Sequence, residues 1–276
     1  MDQKTILITG CSSGIGYAVA KGLKSRGYRV FATARRSEDV ETLSAEGFES
    51  FQLDLADSAS IQHAVHAVLD RTGGTLYALF NNGAYGQPGA VEDLSRDTLR
   101  AQFETNLFGT VELTNLLIPI MRKQREGRII QNSSLLGLVA MPYRGAYIAS
   151  KFALEGLTHT LRMELQGSGI EVSLIEPGPI LSKFRDNSYK MYQRYIQPDQ
   201  SVHKTTYLAM EKRLLTKGAA VPFTLPSEAV LPKVIHALES RSPKAQYYVT
   251  FPTYLFATLR RLLSAKWLDA VTRRFI

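Results

Sequence analysis

Among 276 residues the chain has a single cysteine, Cys11, which excludes an internal disulfide and fits a reducing compartment. It has no apolar run approaching the roughly 20 residues that a membrane-spanning helix needs. Its start, Met1-Asp2-Gln3-Lys4, leads directly into a short strand-like run, without the apolar core of a signal peptide. These absences lead to the expectation of a soluble or surface-attached cytoplasmic protein. The five histidines, His63, His66, His159, His203 and His236, show no metal-ligand spacing with cysteine or paired carboxylates, so no metal is expected. There is no internal repeat, low-complexity tract or clear linker, and the length suits one α/β domain over residues 1–276.

What is present is ordinary globular material, 45% apolar and 21% charged. The net charge of +8 gathers near the C-terminus in Arg260, Arg261, Lys266, Arg273 and Arg274, so a general nucleic-acid partner is not expected. Strand-like runs alternate with helical patterns. Thr5 to Thr9 precedes a helical pattern from about Ser13 to Arg26, and Tyr28 to Thr33 follows it. Further strands are read at Glu49 to Leu53, Leu76 to Asn81, Arg128 to Asn132, Ile170 to Glu176 and Gln246 to Thr250. Such alternation predicts a mostly parallel sheet with helices on both faces. The stretch Pro179 to Pro226 breaks the rhythm and reads as irregular turns.

Two patterns carry chemistry. Tyr147 and Lys151 lie four residues apart in a helical pattern spanning Ala146 to Gln166, so they share one face. A nearby positive charge favours a phenolate, which would bring the tyrosine below its usual value of about 10. Taken alone, this spacing also fits an ordinary helix surface. Ser134, thirteen residues earlier, closes the strand Arg128 to Asn132 and can face the tyrosine. The second pattern is Thr9-Gly10-Cys11-Ser12-Ser13-Gly14-Ile15-Gly16, between the first strand and first helix. Its glycines permit close approach to a pyrophosphate, whose charge the helix start favours.

With Asn81-Asn82-Gly83-Ala84, Asn106 and Pro177-Gly178 added, the chain resembles the short-chain dehydrogenase/reductase family over nearly its whole length. The wording of the glycine turn is similar to the hydroxysteroid and retinol dehydrogenase branch, which includes bacterial NADP-dependent aldehyde reductases. The resemblance implies a single doubly wound Rossmann domain and an NADP(H)-dependent oxidoreductase acting on a lipophilic carbonyl or alcohol. Its alternative is a catalytically silent NADP(H)-binding sensor. It further implies that Tyr147 is the proton donor, that Lys151 lowers its pKa and binds ribose, and that Ser134 polarises the carbonyl. Asn106 would hold a water leading to solvent.

The implied cofactor residues are Gly10, Ser12, Ser13, Gly14, Ile15, Gly16, Asp54, Leu55, Asn82, Gly83, Tyr147, Lys151, Pro177, Gly178, Ile180 and Ser182. Arg35 and Arg36 join them because they end the second strand, where an NAD enzyme usually has a carboxylate; guanidinium suits the 2′-phosphate of NADP. Phe184, Tyr189, Met191, Tyr192 and Tyr195, in a substrate loop about 179–226, are read either as an apolar pocket or as plain loop packing. The basic amphipathic segment about 254–275 is read either as a peripheral membrane contact or as a helix packed on protein. A homo-oligomer, dimer or tetramer, is expected from the relatives.

Overall fold

A computed structural model describes residues 3–275. Seven parallel strands form one sheet in the order β3-β2-β1-β4-β5-β6-β7. They are β1 (Thr5–Ile8), β2 (Arg29–Ala34), β3 (Glu49–Gln52), β4 (Ala78–Asn81), β5 (Gly127–Asn132), β6 (Ile170–Glu176) and β7 (Gln246–Tyr248). The central strands are apolar on both sides, as a sheet covered on both faces requires. One apolar cluster joins Ile6, Ile8, Val30 and Phe80 to Val19, Leu23 and Val234. The opposite face joins Leu7, Phe31, Leu79 and Ile129 to Ile61, Val65, Leu113 and Leu117. The molecule is thus a single Rossmann-like α/β domain.

The helices that build these faces are α1 (Gly14–Ser25), α2 (Ser37–Ala45), α3 (Ser58–Thr72), α4 (Arg96–Phe103), α5 (Gly109–Gln124) and α6 (Gly145–Glu164). Strand order reverses between β1 and β4, which opens a crevice at their carboxyl ends. The β1–α1 turn, the end of β5 and the start of α6 all meet there.

The stretch read as irregular contains two helices, α7 (Phe184–Tyr195) and α8 (Lys204–Leu215). Within α7 only Ser188 and Tyr192 are buried, too few apolar contacts to leave a helical stripe in the sequence. The remaining helices are α9 (Leu231–Glu239), α10 (Phe251–Leu262) and α11 (Ala265–Thr272). The basic C-terminal segment is therefore broken at Leu263 and Ser264. Phe256 and Ala257 of α10 pack on Leu135, Leu138 and Val139, whereas Leu255, Leu262 and Trp267 remain exposed beside the arginines.

Candidate active site

The β1–α1 turn is shaped for a ligand backbone. Gly10 and Gly14 adopt φ of +71° and +62°, conformations that side chains disfavour. A Cβ on Gly16 would sit 2.3 Å from the Gly10 carbonyl oxygen, so the start of α1 presses directly on the turn. Ser13 precedes α1 without capping it through its side chain, so first-turn amides face the crevice without that partner. Ser12 is exposed and Ile15 half-buried. Cys11 is inert: its thiol is fully buried, donates to the Ile8 carbonyl at 3.3 Å, and is pushed up to about 12 by burial.

The turn is braced from β4. Asn82 Nδ2 donates to the carbonyls of Thr9 at 2.9 Å and Gly10 at 3.2 Å, while Asn132 Nδ2 donates to Asn82 Oδ1 at 2.9 Å. Thr9 Oγ1 accepts from the amides of Asn82 and Gly83. The Asn82 side chain is thus spent on holding the glycine turn. Gly83 faces Leu55, where a Cβ would lie 3.0 Å from Leu55 Cδ1. Asp54 Oδ1 accepts from the Ala56 amide in a tight turn. From the far side, Ser182 lies over Gly14, with 2.8 Å between Ser182 Cβ and a Cβ built there. Pro177 accepts from the Leu135 amide at 2.7 Å, and Gly178 leaves room for Thr250, whose hydroxyl a Cβ would meet at 2.1 Å. Ile180 is held by a parallel bridge to Leu225.

Ser134 follows β5 and starts a short 3₁₀ turn, where its oxygen accepts from the Leu136 amide at 3.1 Å. Its hydroxyl proton therefore remains free to donate. Tyr147 and Lys151 are both on α6 and both buried. Lys151 Nζ donates to the Asn132 carbonyl at 2.7 Å and lies 5.8 Å from the centre of the Tyr147 ring. Burial pushes the Tyr147 phenol up to about 12, with the Ser134 hydroxyl acting in the opposite direction. Burial, opposed by the Ser134 hydroxyl and not by Lys151, sets the direction in the protein's own groups, so the phenol lies above its ordinary value where a lowering by Lys151 was expected. Burial also pushes Lys151 down to about 8, with Glu155 opposing.

Asn106 lies in the π-helical turn Glu104–Phe108, an irregularity that often marks functional sites. Its Oδ1 accepts from the Tyr85 amide, and its Nδ2 donates to the Tyr85 carbonyl and to Ser150 Oγ. Both amide hydrogens are thereby committed to bracing the loop after β4 against α6. Arg35 and Arg36 also part company. Arg36 forms a two-pronged pair with Asp39 at 2.8 Å per bond, whereas the Arg35 guanidinium is exposed with no acceptor among the described residues.

Of the expected pocket residues, Phe184 touches the centre itself, its ring 5.4 Å from that of Tyr147 and inclined at 64°. Gly86 makes space for it: a Cβ there would lie 2.8 Å from Phe184 Cζ. Tyr192 is instead buried with Tyr207 and Met210 between α7 and α8. Sequence reasoning missed the carboxyls behind Lys151, Glu155 on α6 and Glu176 at the end of β6, both buried. Their one visible signal was spacing: Tyr147, Lys151, Glu155 and His159 recur at every fourth position.

A model of the short chain dehydrogenase family matches residues 4–193. The chain belongs to that family. It is 43% identical over 269 residues to the uncharacterized oxidoreductase YbbO of Escherichia coli K12, covering 98% of this chain and 94% of that protein. Human retinol dehydrogenase 8 is 37% identical over 191 residues, covering 66% of this chain and 60% of the relative. A Burkholderia phymatum short-chain dehydrogenase/reductase solved in complex with NAD superimposes with a TM-score of 0.79 at 26% identity, covering 99% and 96%. Among the described residues no helix is long and apolar enough to cross a membrane.

Proposed function

We propose that the protein interconverts a lipophilic aldehyde or ketone and its alcohol with NADP(H), the reduction being the favoured direction. The observation that carries this reading is the buried Tyr147 phenol beside the Ser134 hydroxyl, with Lys151 one turn behind and the glycine turn across the crevice. The glycine turn, with positive φ at Gly10 and Gly14 and the start of α1 pressed against it, fits a dinucleotide pyrophosphate, which such a turn approaches closely through its backbone and the helix start. When bound, the nicotinamide supplies or accepts the hydride.

The chain's own residues do the rest. Ser134, its oxygen already accepting from Leu136, donates to the carbonyl oxygen and stabilises the negative charge that develops there. Tyr147, which keeps its proton at neutral pH, delivers it to the same oxygen. Lys151, still mostly ammonium at neutral pH, stabilises the phenolate left behind. Gly10, Ser12, Ser13, Gly14, Ile15 and Gly16 hold the pyrophosphate; Asp54, Leu55 and Gly83 border the adenosine; Pro177, Gly178, Ile180 and Ser182 border the nicotinamide.

The preference for NADP(H) rests on charge. Arg35, Arg36 and Lys183 all act on Asp39 in the first turn of α2, just past the end of β2, so three cations gather about one carboxylate where a 2′-phosphate would lie. The lipophilic substrate rests on Phe184 over Tyr147. Exposed Phe108, Leu116, Phe152 and Leu157 on the α5–α6 face support a homo-oligomer. A lipid contact would have to use the outer surface of α10 and α11, since the inner surface is packed on the domain.

The test is purified protein with NADPH or NADH and a panel of aldehydes and ketones, followed at the nicotinamide absorbance band. NADPH oxidation strongest with apolar carbonyls is expected. Absence of turnover with every carbonyl would favour the dinucleotide sensor instead.

A further inference from the structure

The face of α6 that carries Tyr147 and Lys151 continues, one turn at a time, through Glu155 to His159. Glu155 is only 6% exposed and Glu176 is 0% exposed, and their carboxyls face one another closely enough to hydrogen-bond once one is protonated. Glu176 Oε1 accepts from Gln246 Nε2 at 2.6 Å. Glu176 Oε2 and both Glu155 oxygens, in contrast, have no hydrogen-bond donor among the described residues. Two buried carboxylates in this arrangement repel each other, whereas one shared proton turns the contact into an O–H···O bond and satisfies oxygens on both sides.

The surroundings of the pair come from five elements. Lys151 and His159 face it from α6, with His159 Nε2 3.5 Å from Glu155 Oε2. Arg260 acts on both carboxyls from α10, and Tyr248 and Gln246 border them from β7. Ser133 lies against Glu155 at the end of β5, and Gly137 in the following turn leaves them room. A Cβ on Gly137 would lie 2.5 Å from Ser133 Oγ and 3.0 Å from Glu155 Oε1. Lys151 is 3% exposed, and Glu155 is the acid that acts on it. A buried ammonium without an anion nearby is costly and gives up its proton.

We propose that Glu155 and Glu176 hold one proton in common, and that the single negative charge left on the pair keeps Lys151 an ammonium, His159 joining the pair to solvent. The two glutamates are positioning residues that act through Lys151. The shared proton stands independently of the reaction proposed above, whereas its consequence for turnover rests on that reading. Burial raises both carboxyls, Glu176 further because the charge on Glu155 opposes its ionisation. Removing the anion lowers the affinity of Lys151 for its proton, so the ammonium, and with it the alkaline limb of turnover, is lost at lower pH.

Infrared spectroscopy of protein carrying isotope-labelled glutamate, at neutral pH and without cofactor, reads the shared proton directly. One protonated buried carboxyl is expected, lost in Glu176→Gln. NMR titration of labelled lysine reads Lys151 itself; in the double variant Glu155→Gln with Glu176→Gln, which leaves no anion at the pair, its midpoint should fall by about one pH unit or more, and the alkaline limb of kcat should move with it. Glu155→Asp in the Glu176→Gln background, which keeps one charge, should restore part of the shift. Fully ionised glutamates at neutral pH in the unsubstituted protein would overturn the shared proton, whether or not the variants fold. An unmoved Lys151 midpoint in the double variant would overturn the link to the lysine. If the unsubstituted protein turns over no carbonyl, the proposed reaction fails while the infrared and NMR readings still judge the pair.

Discussion

The glycine turn and the α7–α8 wall, whose first residue Phe184 packs on Tyr147, are held in different ways. The turn is fixed by short-range bonds to main-chain atoms: Asn82 to Thr9 and Gly10, Thr9 to Asn82 and Gly83, and Gly16 against Gly10. The wall is held by side chains meeting side chains, such as Tyr189 with Glu211 at 2.7 Å, Ser201 with Asp93 at 2.7 Å, and the stacked rings of Tyr189 and Tyr192. A side-chain-held wall can change residue by residue and leave the sheet intact, whereas the main-chain-held turn cannot. On the proposed function, the molecule thus separates a fixed cofactor side from an adjustable substrate side.

Changes on the fixed side should cost most. Gly16→Ala places a methyl against the Gly10 carbonyl and should weaken dinucleotide binding by about a hundredfold, read by calorimetry with circular dichroism to confirm the fold. Binding within a factor of two of the unsubstituted protein would show that the turn is not the cradle. Arg35→Asp should weaken NADPH binding by about ten- to a hundredfold and leave NADH nearly unaffected. An unchanged NADPH-to-NADH ratio would move the phosphate contact elsewhere. The smallest effect belongs to the adjustable side. Phe184→Ala should raise KM for apolar carbonyls about tenfold, with kcat and cofactor affinity little changed. A comparable loss for small polar carbonyls would mean that Phe184 supports Tyr147 rather than selecting substrate.

Sequence reasoning reached the two sides unequally for the same physical reason. The central strands were legible because a doubly covered parallel sheet needs near-continuous apolar runs, as in Ile6-Leu7-Ile8 and Leu79-Phe80. Gly10, Gly14 and Gly16 were legible because their backbone geometry admits little else. The helices α7 and α8 were not, since their packing depends on tyrosines and polar side chains that a loop would also carry. Asn106 was found as a residue, but its commitment to Tyr85 and Ser150 depends on loops brought together only by folding. The meeting of Glu155 and Glu176 is of the same kind: an isolated glutamate on a helix reads as solvated until β6 is placed behind it.

The most direct measurement is turnover and NADPH affinity in Tyr147→Phe. Loss of the phenol proton should lower kcat on the order of a thousandfold while NADPH affinity stays near that of the unsubstituted protein. Activity retained within tenfold would place the proton donor elsewhere and contradict the account.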